Sequence, residues 1–178
     1  RLPSLLLRTH VLSCLGSAYP QPVVSQNIRT GQQPMAVAVH QTTNKAYVVN
    51  HNSNSVTVID GKTRTAIRTI QTGAGPEAIA VNPVTNRVYV ANSGESSVTV
   101  IDGDTGSVVA TVRTGSNCNA VAVNPTTNKS YNSTHFGHIL TVIEGATNHP
   151  TTVRAGRGHR GLDGDLGHSK RSTPHPRP

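Results

Sequence analysis

Thr-Gly pairs close at residues 31, 73 and 115, and tyrosine recurs at 47, 89 and 131, both at a spacing of 42 residues. A chain that repeats itself at this interval must use one small unit several times, each burying its apolar surface on its neighbours. The unit is clearest from Ala74 to Gly115, AGPEAIAVNPVTNRVYVANSGESSVTVIDGDTGSVVATVRTG. Ala78-Ile-Ala-Val81 is a short apolar run stopped by Asn82-Pro83, because proline has no N–H to give a ladder and Thr85-Asn86 favours a turn. Arg87 to Asn92 is β-branched and aromatic and ends in the polar Ser93-Gly-Glu-Ser96. Ser97 to Asp102 follows, and Asp102-Gly103 is a strong hairpin signal. Ser107 to Arg113 is the fourth run, closed by Thr114-Gly115. No window carries apolar residues at helical spacing, and the second and third runs are apolar on both faces, as strands packed between two neighbouring sheets are. The expected fold is all-β: propeller blades of four antiparallel strands, one per 42-residue repeat, in an incomplete ring.

The flanks divide around this unit. Residues 32–73 form the first full blade and match the second at 20 of 42 positions, among them Pro34, Tyr47-Val48, Asn50 and Ser55 to Gly61. Residues 74–115 are the second blade. Residues 116–156 read as a degenerate third: Ala120 to Pro125 and Tyr131 keep the pattern, and Leu140 to Gly145 restores it. Between them, Asn132 to His138 replaces the expected strand end and turn; Pro150 falls in the fourth strand, and one residue is lost before Ala155-Gly156. Residues 23–31 align with the end of blade two and read as the outer strand of a preceding blade. Residues 1–22 read as a damaged secretory leader or a plain disordered terminus, with apolar Leu5-Leu-Leu7 and Val11-Leu12, interrupted by Arg8, Thr9 and His10, before the small residues Gly16-Ser17-Ala18. Residues 157–178 hold only Leu162 and Leu166 as large apolar side chains and read as a disordered basic tail.

The net charge of +8 lies at the ends. Residues 31–115 carry six basic and five acidic side chains, whereas residues 1–30 carry three arginines and no acid. That distribution argues against a basic nucleic-acid face on the fold, and the tail lacks the aromatics that single strands stack on. No run approaches the ~20 apolar residues of a helical membrane span.

Tyr47-Val-Val-Asn50 and Tyr89-Val-Ala-Asn92, each followed by Ser-Val-Thr-Val-Ile-Asp-Gly, resemble the YVTN family of β-propeller repeats over about residues 24–156. The resemblance implies a propeller, commonly of seven blades, in secreted or surface-associated proteins of bacteria and archaea, and hence an extracytoplasmic location. It implies no single activity, although related propellers host lactonase and dehydrogenase activities.

No residue set carries catalytic chemistry: there is no Ser/His/Asp constellation, no carboxylate pair and no phosphate loop, so no catalytic, cofactor-binding or metal-binding residue is assigned and no cofactor is expected. Asp102-Gly-Asp-Thr-Gly106 has the look of a calcium loop, yet its counterpart Asp60-Gly-Lys-Thr-Arg64 puts a lysine at the second carboxylate, which favours a hairpin. Tyr47, Tyr89 and Tyr131 mark one packing slot. His135 and His138, with His149 beyond, have ligand-like spacing but no Cys or carboxylate with them. Asn128-Lys-Ser130 and Asn132-Ser-Thr134 match the glycosylation acceptor pattern, and Cys14 and Cys118 make no disulfide framework.

These readings favour a non-catalytic binding or scaffold propeller of a secreted or cell-surface protein, whose ligand would be a protein or surface polymer. The alternative is part of a propeller enzyme or electron-transfer subunit, which non-repeating His, Glu or Arg near the central channel would signal; the two regular blades suggest none. Three blades leave an open Val- and Ile-rich face at each end, so the chain is expected to be a piece of a longer propeller or to self-associate.

Overall fold

The computed structural model describes residues 27–135 and 138–154. Twelve strands fill them, and the described residues contain no helix. The first blade comprises β1 (Pro34–His40), β2 (Lys45–Asn50), β3 (Ser55–Asp60) and β4 (Thr65–Gln71). The second comprises β5 (Pro76–Asn82), β6 (Arg87–Asn92), β7 (Ser97–Asp102) and β8 (Val108–Arg113). The third comprises β9 (Cys118–Asn124), β10 (Lys129–Thr134), β11 (Ile139–Glu144) and β12 (His149–Arg154). Each sheet is a four-strand antiparallel meander in chain order. The first strands of successive blades lie side by side, whereas the outer strands β8 and β12 barely meet. The blades therefore radiate from an axis beside β1, β5 and β9, as in a propeller.

Strand alternation sends successive side chains to opposite faces of a blade, and in this stack both faces of an inner blade find a neighbour. Between blades one and two, Tyr47, Val49, Val56, Val58 and Ile70 pack on Val88, Val90 and Ile101. Between blades two and three, Tyr89, Ala91, Val98, Val100 and Val112 pack on Cys118 and Ile143. Each buried Val or Ile contributes roughly 1.5–3 kcal/mol over its exposed state, which holds the stack together without tryptophan.

A polar clamp ends the second strand of the two regular blades. Asn50 Nδ2 donates to Ser55 Oγ at 3.2 Å and Thr57 Oγ1 at 2.9 Å, and Asn92 Nδ2 donates to Ser97 Oγ at 3.0 Å and Thr99 Oγ1 at 2.9 Å. The glycine that closes the preceding repeat lies against this clamp. A β-carbon on Gly31 would stand 2.7 Å from the Asn50 side chain, and one on Gly73 would stand 2.7 Å from that of Asn92. The recurring Thr-Gly thus has a steric cause: one blade's last residue seats on the next blade's clamp.

Blade three departs from the repeat in side chains more than in backbone. Its sequence departs from the repeat, yet its sheet is complete, because ladders are made by backbone groups and tolerate the new side chains. Pro150 lies on β12, the outer edge of the sheet, where one missing N–H is tolerated. The lost residue also has a place. In blades one and two the β3–β4 and β7–β8 ladders skip a residue, Ile67 and Val109, whereas β11–β12 runs without a register shift. The deletion has removed a β-bulge.

The clamp itself is gone from blade three. Thr134 and Ile139 replace the Asn and Ser, and Thr141 Oγ1 is left buried with no partner among the described residues. Asn132 stands where Val48 and Val90 stand and is buried, its Nδ2 donating to Ser130 Oγ at 3.2 Å and to the Thr141 carbonyl at 3.1 Å. The expected leader (1–22), most of segment 23–31 and the tail (157–178) lie outside the described residues. Of segment 23–31, residues 27–31 carry no strand in this chain.

Candidate functional site

The two edges of the sheets differ in character. One edge carries the β1–β2 and β3–β4 turns and their counterparts, where Thr-Asn and Asp-Gly recur almost unchanged. Asp60 and Asp102 order those turns. Asp102 Oδ1 accepts the N–H groups of Asp104 at 3.1 Å and Thr105 at 2.9 Å and the Thr105 hydroxyl at 3.1 Å, while Arg87 sits on Oδ2 at 2.9 Å. These donors hold its carboxyl below the usual carboxylate value, the Thr105 N–H most of all. Asp60 accepts from Lys62 and Thr63, both at 2.8 Å, and is lowered for the same reason. With its lone pairs occupied inside its own turn, Asp102 is a hairpin residue, and the calcium reading gains nothing from the geometry.

The opposite edge carries the loops at residues 51–54, 72–75, 93–96 and 114–117, and here the repeats diverge. His51, Ser93 and His135 occupy one repeat position; Met35, Glu77 and Asn119 occupy another. Glu77, second residue of the inner strand β5, accepts the Ser93 hydroxyl at 2.7 Å. The same hydroxyl lies 3.0 Å from the Gly75 carbonyl, and a His51 ring nitrogen lies 3.2 Å from the Pro76 carbonyl. Glu95 Oε2 accepts the Ala74 N–H at 3.2 Å, and Asn54 Oδ1 accepts that of Gly75 at 2.9 Å. A histidine and two carboxylates therefore converge on the seam between blades one and two. The sequence reading singled out neither Glu77 nor His51. Comparing Met35, Glu77 and Asn119 across the repeats would have exposed Glu77.

The remaining candidates fall as follows. Tyr47 and Tyr89 are core residues, and Tyr131 takes the same slot on the outer face of blade three, half-buried. His135 and His138 flank residues 136–137, which lie outside the described part. Among the described residues no group of three or more His, Cys, Asp or Glu stands ready to hold a metal ion. Cys118 is buried at the place of Pro34 and Pro76, and burial pushes its thiol up; Cys14 lies outside the described residues. The burial of Asn132 overturns the acceptor reading at that position, since a folded chain cannot present it. Asn128 is engaged too, its Oδ1 accepting from Asn82 Nδ2 at 3.0 Å and from the Thr85 hydroxyl at 3.4 Å. Among the described residues no helix is long and apolar enough to cross a membrane.

Comparison with family models places residues 12–138 in the YNCE-like β-propeller model. The chain belongs to the YNCE-like β-propeller family. Its YVTN-like phrases are consistent with that membership without adding to it. Among solved structures, hydrazine synthase of Kuenenia stuttgartiensis aligns over 75% of this chain at 19% identity with a TM-score of 0.67. The Cps50 (Swd1) β-propeller domain of Myceliophteria thermophila aligns over 72% at 11% identity with a TM-score of 0.61. At such identities the likeness is one of fold. This YNCE-like chain spans 39% and 40% of those two chains. No curated protein sequence matches it.

Proposed function

We infer that this chain is a non-catalytic binding or scaffold part of a secreted or cell-surface propeller, taking its ligand on the divergent loop edge. One observation carries the reading: at that edge His51, Glu77 and Asn119 depart from their repeat counterparts as polar side chains, whereas the Asp-Gly turns of the opposite edge recur and are consumed by their own hydrogen bonds. Binding surfaces of repeat folds vary at such positions while the repeated ones build the scaffold. His51, Glu77, Glu95 and Asn119 supply donors and acceptors suited to a polar protein loop or the hydroxyls of a surface polymer. The extracytoplasmic placement rests on the leader-like apolar residues at positions 5–7 and 11–12 and on the small residues at 16–18.

An array of purified cell-surface polysaccharides and extracellular proteins, probed with the full chain, tests this. The triple variant His51→Ala, Glu77→Ala and Glu95→Ala should weaken any retained ligand at least tenfold, and Val84→Ser with Thr126→Ala on the opposite edge should leave it unchanged. Loss through the second pair alone would overturn the reading. The alternative, part of a propeller enzyme or electron-transfer subunit, draws on the convergence of Glu77, Ser93 and His51. Lactone hydrolysis or dye-linked dehydrogenation by the full chain that falls in Glu77→Gln would favour it.

A further inference from the structure

Three departures from the repeat meet at the rim of the first seam, between β4 of blade one and the β7–β8 hairpin of blade two. Arg87 and Lys129 each pair with a carboxylate of their own blade, Arg87 with Asp102 and Lys129 with Glu144, both at 2.9 Å. Lys45 holds the same position opposite Asp60, yet it leaves that carboxylate and crosses the seam, donating from Nζ to the Gly103 carbonyl at 2.9 Å. Arg68 stands where blade two has Ala110 and blade three has Thr151, and it too crosses, donating from Nη1 to the Thr105 carbonyl. Gly106 makes room for that crossing. Its counterparts are Arg64 and Asn148, and a β-carbon on Gly106 would stand 2.6 Å from Arg68 Cδ and Nη1.

These residues enclose a cavity of about 50 Å³. One water needs roughly 10–15 Å³ of such space, so the cavity takes a group of about three or four heavy atoms. Val58, Ile67 and Ile70 give it an apolar wall, and Lys45, Arg68 and Asp104 line the rest. Each cation spends one donor on a backbone carbonyl, and its remaining N–H groups have no bonding partner among the described residues. Neither cation is ion-paired among those residues, so the two of them against Asp104 leave the lining an excess of positive charge. The second seam builds no counterpart. There Arg87 is held by Asp102, Ala110 is too short to cross, and Asn148 carries a side chain where Gly106 is bare.

We propose that this cavity binds a small carboxylate on a short apolar stem, its oxygens on the open donors of Lys45 and Arg68 and its stem against Val58, Ile67 and Ile70. A guanidinium presents parallel N–H groups that match both oxygens of a carboxylate, and such charge-assisted bonds are stronger than neutral ones. The small excess of charge suits a monoanion better than a phosphate dianion, and the aliphatic wall gives bare phosphate nothing to cover. The cavity lies at the hairpin edge, away from His51, Glu77 and Glu95, so this site and the ligand of the loop edge stand or fall separately.

Titration of the isotope-labelled full chain with isovalerate tests this, read from the backbone amide resonances of Gly103, Thr105 and Gly106. They should shift and saturate with a dissociation constant on the order of 1 mM, the range open to a ligand of about seven heavy atoms. Isovaleramide keeps the shape without the charge, and inorganic phosphate keeps charge without the stem; each should bind about tenfold more weakly or not at all. Arg68→Ala, which installs the residue blade two uses, and Lys45→Met, which keeps the stem, should each weaken isovalerate about tenfold, whereas Val84→Ser leaves it unchanged. Should a variant unfold, isovalerate against isovaleramide on the unaltered chain still decides the point. Shifts that grow without saturating, equal binding of the amide or of phosphate, or undiminished binding in Arg68→Ala would each overturn the proposal.

Discussion

Tyr47 and Tyr89 occupy one repeat slot with the same backbone and nearly the same burial, and they differ in a single hydrogen bond. The Tyr47 hydroxyl reaches the Gly103 carbonyl at 3.4 Å, whereas the Tyr89 hydroxyl is buried with no partner among the described residues. Removing the oxygen should therefore have opposite effects. At Tyr89 it returns a desolvation cost of about 1–3 kcal/mol, less a few tenths for the small void, so Tyr89→Phe should stabilise by about 1 kcal/mol. At Tyr47 the bond is long and worth the lower end of the usual range. Its carbonyl keeps Lys45 Nζ at 2.9 Å, so Tyr47→Phe should cost only about 0.5 kcal/mol. The gap of roughly 1.5 kcal/mol is about tenfold in the unfolding equilibrium, and a domain of this size moves roughly 2–4 °C per kcal/mol. Urea midpoints at fixed protein concentration, supported by melting temperatures, would measure it. Equal losses from both substitutions would refute the reasoning, because Tyr89 would then have a bonding partner.

Three further outcomes are expected. Asn132→Val restores the side chain of Val48 and Val90 and removes a buried carbonyl oxygen without a partner; it should raise the urea midpoint by an amount equivalent to about 1 kcal/mol, and a fall would show that the Ser130 and Thr141 bonds dominate. Gly106→Ala puts a β-carbon at φ +69° and 2.6 Å from the Arg68 side chain, so denaturation should show a loss of about 1–2 kcal/mol. Burial raises the phenols of Tyr47 and Tyr89 above the ordinary 10.0, with Asp104 and Asp102 adding to the shift at Tyr47. The folded state then holds their protons more tightly, so stability is intact below pH 10 and falls as pH rises through the folded values. Denaturation series from pH 9 upward should show that loss, reduced in Tyr89→Phe.

Much of the fold was legible because it rests on features the sequence repeats: β-branched runs for strands, Asp102-Gly103 for a hairpin, and one tyrosine slot for the interblade core. Blade three keeps its sheet through the departures at Asn132 and Pro150, because a ladder is made by the backbone and an edge strand tolerates proline. The lost residue could not be assigned before the bulges at Ile67 and Val109 gave it a place. Glu77 and His51 were hidden for the opposite reason. A residue that departs in one repeat looks like drift until the sheet edges bring it beside Ser93 and Gly75.

The seat of each closing glycine on the next blade's asparagine gives the stack a direction in time as well as in space. Where Asn and its Ser and Thr partners are present, opening one blade exposes bonded polar groups from two. Blade three, with Thr134 and Ile139 in their place, has no such latch, so backbone amides there should exchange with solvent before those of β6 and β7. Blade three then gives up its protons ahead of the two latched blades.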